Sequence, residues 1–150
     1  MTVGEICNRN VVVAPKTQGI VDAAKRMRAS HVGDLVVVEN RGNEHVPIGI
    51  VTDRDIVISV VAGDPDHINY LLVSDVMSDD LVTAREPESV EAALRKMEEH
   101  GVRRLPIVDG DGVLVGILTL DDVLQYLTAQ QNELVALVAQ EQRRERQFRV

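Results

Sequence analysis

The chain has 150 residues, 45% of them hydrophobic and only 2% aromatic, with a formal net charge of −8, which suits one ordinary domain or two very small units sharing an aliphatic core. An acidic field of this size opposes binding to phosphate backbones and anionic membrane surfaces, so neither nucleic acid nor membrane is expected as a partner. A lone Cys7 excludes an internal disulfide, and no apolar run is long enough for a membrane span or a signal-peptide core, so the expected compartment is the cytoplasm.

In chain order, Ile20, Ala23, Ala24 and Met27 recur at helical spacing, and residues 35–38 and 47–51 read as the two strands of a hairpin. Residues 81–84 then read as a short strand, and Pro87-Glu88-Ser89-Val90 as a turn into a helix with Ser89 at its N-cap. Val90, Ala93, Leu94 and Met97 form the buried face of that helix. Two apolar runs, 105–108 and 114–118, flank Asp109-Gly110-Asp111-Gly112 as a second hairpin, and a last helix is predicted over about 120–127.

These elements are one unit used twice. An offset of 70 lays Ile6 on Val76, Ala14 on Ala84, Ala23 on Ala93, Met27 on Met97 and Leu35 on Leu105. Beyond a polar stretch the offset drops to 67, laying Gly49-Ile50-Val51-Thr52 on Gly116-Ile117-Leu118-Thr119 and Asp55 on Asp122. The difference of three falls between 39–46, eight residues, and 109–113, five residues, and is expected to sit in a turn. The predicted fold class is therefore α/β (α+β), with two β-α-β-β-α repeats at 1–70 and 71–128 and a helical tail at 129–150. Each small sheet buries too little by itself, so the two repeats must pack on each other.

The paired stretches Gly49-Ile50-Val51-Thr52-Asp53-Arg54-Asp55 and Gly116-Ile117-Leu118-Thr119-Leu120-Asp121-Asp122, with the segment 100–109, resemble a tandem pair of cystathionine-β-synthase (CBS) domains over roughly 1–128. The resemblance implies two repeats related by a pseudo-two-fold axis, a cleft with up to two nucleotide sites, and association of modules into dimers. It also implies adenosyl ligands, AMP, ADP or ATP first and S-adenosylmethionine or NAD as alternatives, with Asp55 and Asp122 on ribose and Thr52 and Thr119 on ribose or phosphate. The adenine would meet Val13-Ala14 with Gly33-Asp34 in one site and Thr83-Ala84 with Arg103-Arg104 in the other.

The residues themselves allow two readings at each position. A carboxylate accepts hydrogen bonds from a ribose diol, and a neighbouring hydroxyl donates to ribose or phosphate oxygen; equally, Thr-x-x-Asp at a helix start is a capping box that only satisfies backbone amides. Val13, Ala14, Thr83 and Ala84 are also ordinary core-strand positions. Arg103 and Arg104 offer guanidinium groups to an anion, assisted by His31 and Arg54, or else pair with Glu98 or Glu99 on the surface. Since the first copy has Gly33 and Asp34 where the second has the two arginines, two equal sites are not expected.

No phosphate-binding loop, nucleophile elbow or dinucleotide fingerprint is present, and the four histidines lack ligand spacing. No enzyme activity, dedicated metal site or resident cofactor is expected, although magnesium can accompany ATP. Cys7, aligned with Met77, reads as a structural thiol before a redox sensor. In the tail, Leu134, Leu137 and Val138 make a helical stripe ahead of Arg143, Arg144, Arg146 and Arg149, either docking on a second subunit or target protein or standing solvated. With Met1 at its start, the expectation is a stand-alone regulatory protein acting on an unidentified partner; the alternative is a constitutive dimerisation scaffold with no working nucleotide site.

Overall fold

The computed structural model describes residues 1–148; Arg149 of the tail lies outside them. The elements run α1 (Val3–Ile6), β1 (Val13–Pro15), α2 (Ile20–Ser30), β2 (Asp34–Arg41), β3 (Glu44–Thr52), α3 (Asp53–Asp55), a π-helical segment (Ile56–Val61), a 3-10 turn (Pro65–His67), α4 (Val73–Val76), β4 (Ala84–Arg85), α5 (Val90–His100), β5 (Arg104–Val108), β6 (Leu114–Thr119) and α6 (Leu120–Phe148). They form two three-stranded sheets, β1-β2-β3 and β4-β5-β6. In each, the first strand is parallel to the second and the second antiparallel to the third.

The internal repeat is visible in detail. Ile20, Ala23 and Met27 on α2 and Val90, Ala93 and Met97 on α5 are the buried faces, with Ala24 only half-buried. Ser89 caps α5 by accepting a hydrogen bond from the Ala92 amide at 3.1 Å. Both helices end in a left-handed residue, His31 at φ 54° and Gly101 at φ 63°. Both hairpins carry an irregularity at the same place, between Val37 and Val38 and between Ile107 and Val108.

Three sequence expectations need correction. The extra three residues of the first copy lengthen the strands: Glu39, Asn40 and Arg41 pair with Val46, His45 and Glu44, leaving a tight turn in which Gly42 takes a φ of 65°. The strand predicted over 81–84 shrinks to Ala84–Arg85, because only these residues register on β5, at Ile107 and Val108. The last helix does not stop near Leu127 but continues without a break to Phe148, since no Gly or Pro interrupts it. The matching segment of the first copy is a single α-turn followed by Ile56–Val61, where the Ala62 amide reaches back to the Val57 carbonyl, five residues away, at 3.0 Å. Its run Val57-Ile58-Ser59-Val60-Val61, β-branched at every position but Ser59, is poor helix material, and Gly63 and Pro65 follow it.

The two repeats exchange their leading helices. Val3 of α1 is fully buried among Ala84, Val90, Leu105 and Leu118 of the second repeat, while Val73 of α4 is fully buried among Ala14, Ile20, Leu35 and Val51 of the first. Backbone bonds fix each exchange at matching positions, from the Val3 amide to the Glu88 carbonyl at 2.9 Å and from the Val73 amide to the Gln18 carbonyl at 2.8 Å. After its helix each leader runs antiparallel along the third strand of the opposite repeat, Asn8 against Ile117 and Ser78 against Ile50. A third cluster, Val36, Val38 and Ile117 with Val11, Val13 and Leu114 against it, joins the sheets.

The glycines of the two repeated motifs are explained by this crossing. A Cβ on Gly49 would lie 2.6 Å from the Ser78 carbonyl oxygen and 2.9 Å from Met77 Sδ; one on Gly116 would lie 2.7 Å from Cys7 Sγ and 3.1 Å from the Asn8 carbonyl oxygen. Only hydrogen leaves room for the leader to cross the strand. Cys7 thus sits half-buried at a packing contact, and burial pushes its thiol pKa up.

Candidate functional site

β3 ends at Thr52, where the chain turns directly into α3. The turn is held by a reciprocal pair: the Asp55 amide donates to Thr52 Oγ1 at 3.1 Å and the Thr52 amide donates to Asp55 Oδ2 at 2.9 Å. Thr119 and Asp122 repeat the arrangement at the start of α6, with the same 2.9 and 3.1 Å distances. Both motifs are therefore capping boxes. They are not exhausted by that role. Each carboxylate keeps Oδ1 without a protein partner among the described residues, and each Thr hydroxyl, used as an acceptor, retains its hydrogen for donation.

The first of these turns faces a cleft of about 380 Å³ whose walls come from both repeats. The first repeat supplies Thr52, Asp53, Arg54 and Asp55; the second supplies Asp80, Leu81 and Val82 ahead of β4, and Gly101, Val102, Arg103 and Arg104 between α5 and β5. Among these, Leu81 and Val82 are apolar and offer a surface for a flat ring, Asp53, Asp55 and Asp80 bring carboxylates, and Arg54, Arg103 and Arg104 bring guanidinium groups. Arg103 is exposed and makes no salt bridge among the described residues. Arg104 is committed elsewhere, Nη1 lying 2.5 Å from Asp34 Oδ1 with both side chains largely buried. Desolvation holds the Asp34 carboxyl above its ordinary pKa, an effect the Arg104 charge and hydrogen bond only partly offset.

Of the fourteen residues singled out from the sequence, Thr52, Arg54, Asp55, Arg103 and Arg104 line this cleft together. Thr119 and Asp122 hold the equivalent turn of the second repeat, outside it. Ala14 and Ala84 are buried in the two separate repeat cores. The carbonyl of Val13 accepts from Arg26 Nη1, and that of Thr83 from Lys96 Nζ at 3.0 Å, so these matching first-strand carbonyls already have cationic donors. His31 is exposed at the end of α2. Gly33 sits under Asp53, whose amide bonds the Gly33 carbonyl at 2.9 Å, and a Cβ on Gly33 would lie 3.1 Å from Asp53 Oδ2. The alternative of a surface pair between Arg104 and Glu98 or Glu99 gives way to the contact with Asp34.

Sequence reasoning missed Asp53, Asp80, Leu81 and Val82 as cleft residues. It combined first and second strands within one repeat, whereas the cleft joins the third-strand turn of one repeat to the strand starts of the other. The signal for the Asp34–Arg104 contact was present in the offset of 70, which lays opposite charges on one another.

The CBS domain family model matches residues 3–62 and 73–129. The chain belongs to the CBS-domain family. Its relatives include the uncharacterised protein MK0525 of Methanopyrus kandleri, 40% identical over 134 residues, which cover 86% of this chain and 65% of that protein. They also include the CBS domain-containing protein YhcV of Bacillus subtilis, 38% identical over 122 residues, covering 81% and 82% of the two chains. The chain thus spans just under two thirds of the length of the first relative and most of the second. Among solved structures, the CBS domain pair of protein MJ0100 in complex with 5-methylthioadenosine and S-adenosyl-L-methionine superposes with a TM-score of 0.74 at 25% identity, covering 87% of this chain and 98% of that one. The match covers both repeats of this chain and leaves out the distal part of α6.

Proposed function

We propose that this CBS pair is a cytoplasmic regulatory module, without enzyme activity, that senses an adenosyl compound in the cleft between its repeats. An adenine nucleotide is the first choice of ligand, ahead of S-adenosylmethionine and NAD. The observation that carries the reading is the inter-repeat cleft itself, lined by Thr52, Asp55, Leu81, Val82 and Arg103; in it Asp55 Oδ1 and the Thr52 hydroxyl would meet a ribose, Leu81 and Val82 a base, and Arg103 an anion. The adenosyl compounds bound by the MJ0100 pair support the same class of ligand. No resident cofactor is required, with magnesium arriving only alongside ATP. Ligand occupancy would change the association of a homodimer with a regulated protein, because walls drawn from two units transmit a shift of one to the other.

Calorimetric titration of nucleotide-free protein with AMP, ADP, ATP, S-adenosylmethionine and NAD tests the reading. A ligand the size of AMP, with roughly 23 heavy atoms at about 0.3 kcal/mol each, is expected to bind with a Kd near ~10 μM. Binding should weaken at least tenfold in Arg103→Ala. The absence of heat from all five, with folded protein in the cell, would instead leave a constitutive scaffold, the reading favoured by the capping role of both Thr-Asp pairs.

A further inference from the structure

We propose that Asp34 sets the cleft's preference among adenosyl ligands by their charge, acting through Arg104: an anionic ligand takes the guanidinium, and the carboxyl left behind takes up a proton from solvent. The inference rests on the cleft reading above and adds the control of its selectivity. Arg104 lines the cleft from the second repeat, while Asp34 belongs to the first and lies outside the lining. Asp34 is nevertheless close to the cleft wall, because it pairs with Thr52 across β2 and β3, and Asp53 follows directly. The Nη1–Oδ1 contact of 2.5 Å, with the Arg104 and Asp34 side chains 28% and 16% exposed, therefore holds a cleft cation from outside the cleft.

The charges of the lining give that contact its consequence. Asp53, Asp55 and Asp80 match Arg54, Arg103 and Arg104 in number, so engaging Arg104 with Asp34 leaves the cleft with one carboxylate in excess. An uncharged nucleoside is little affected by the excess, whereas a phosphate must recruit Arg104 to overcome it. Recruitment keeps the guanidinium protonated and moves its hydrogen bond from Asp34 Oδ1 to a ligand oxygen. Asp34 then stands largely buried without a counter-ion, a costly state for an ionised carboxylate. The charges acting on it are Arg104 of β5, which favours ionisation, and Asp53 of α3, which opposes it together with burial. Once Arg104 leaves, both remaining influences favour the neutral acid. The carboxyl therefore holds its proton more tightly in the complex than in the free protein, so binding takes up a proton and strengthens as pH falls.

Calorimetric titration of AMP into the nucleotide-free parent and into Asp34→Asn, between about pH 7.5 and about pH 5.5 in buffers of different ionisation enthalpy, tests the proposal. Near pH 7.5 the variant is expected to bind AMP about three- to tenfold more tightly than the parent, and this advantage to shrink as pH falls. The parent should also take up a fraction of a proton that the variant does not; titration of the phosphate itself is common to both proteins. Adenosine, which carries no anion to take Arg104, should bind the parent without proton uptake. Identical pH profiles for AMP in parent and variant would overturn the proposal and leave the cleft reading standing. Failure of adenosine and of all five ligands named above to bind either protein would overturn the cleft reading with it. Arg104→Gln gives a second route if Asp34→Asn does not fold: with no guanidinium to exchange it should lose the extra proton uptake, and uptake that persists there would overturn the role assigned to Asp34.

Discussion

Asp34 and Arg104 occupy the same position in the two repeats and touch one another, Oδ1 to Nη1 at 2.5 Å. Equivalent positions meet only near the axis relating the repeats, so this ion pair marks where the two units face each other. It also occupies one of the two arginines of the cleft with an internal carboxylate. Asp34→Asn is expected to release Arg104 and tighten binding of a phosphate-bearing ligand by about three- to tenfold, as calorimetry would show. Unchanged affinity would mean that the ligand anion does not reach Arg104.

The reverse substitution has a pH signature. The Asp34 carboxyl already lies above its ordinary pKa because of burial, held down only by Arg104; Arg104→Ala should raise it further. A raised folded-state pKa means that the native chain binds the proton more tightly than the unfolded chain. Stability is then greatest below the ordinary carboxylate pKa and declines as pH rises through the folded value. Urea midpoints from pH 4 upward should fall more steeply in Arg104→Ala than in the parent.

The Glu88–Lys96 contact behaves with the opposite sign. Burial pushes the Glu88 carboxyl up, but the hydrogen bonds from Lys96 and the Arg85 amide, together with the Lys96 charge, bring it below its ordinary pKa. Its stabilisation is present above the unfolded carboxylate pKa and fades as pH drops through the depressed one. Lys96→Met, which also frees the Thr83 carbonyl, should cost on the order of 1 kcal/mol at neutral pH, measured by denaturant unfolding, with the difference shrinking in acid.

Gly49→Ala and Gly116→Ala should each destabilise by about 1–3 kcal/mol, since the added methyl would lie below 3.0 Å from the Ser78 carbonyl oxygen and Met77 sulfur in the first case and from the Cys7 sulfur in the second. In the second case the obstruction is mainly the Cys7 sulfur, so Cys7→Ala should recover part of the loss. No recovery in a double-mutant cycle would argue that the Asn8 backbone is the harder contact.

Asp55→Asn separates the two roles of the turn. Asparagine can still accept from the Thr52 amide through its side-chain oxygen, so stability should change by less than the ~1 kcal/mol expected of a full cap deletion in Asp55→Ala. Ligand affinity should fall severalfold in both. Unchanged affinity in both variants, with stability lost only in Asp55→Ala, would confine Asp55 to capping.

Much of the fold was legible because it is written twice: burial at Ala23 and Ala93, and at Met27 and Met97, follows from helical periodicity alone. The N-cap at Ser89 and both Thr-x-x-Asp boxes were equally readable, being local chemistry. The exchange of leaders was not, because Val3 and Val73 look the same whichever core receives them. For the same reason the cleft was only half drawn. Thr52, Asp55, Arg103 and Arg104 were recognisable by residue type, but Leu81 and Val82 read as an ordinary strand, and only the third dimension sets them across from the turn that ends β3.

The exchanged leaders bear on how the chain comes into being. α1 is made first, yet its seat among Ala84, Leu105 and Leu118 is completed only when the second repeat has been synthesised, more than a hundred residues later. The first repeat in turn waits for Val73 to fill its own core. Neither half is therefore a finished object by itself. A ribosome making this chain would complete the first core once residues 73–77 had emerged but would leave α1 without its seat until Leu118 was made, and chains cut between residues 62 and 73 should regain structure only when both pieces are mixed.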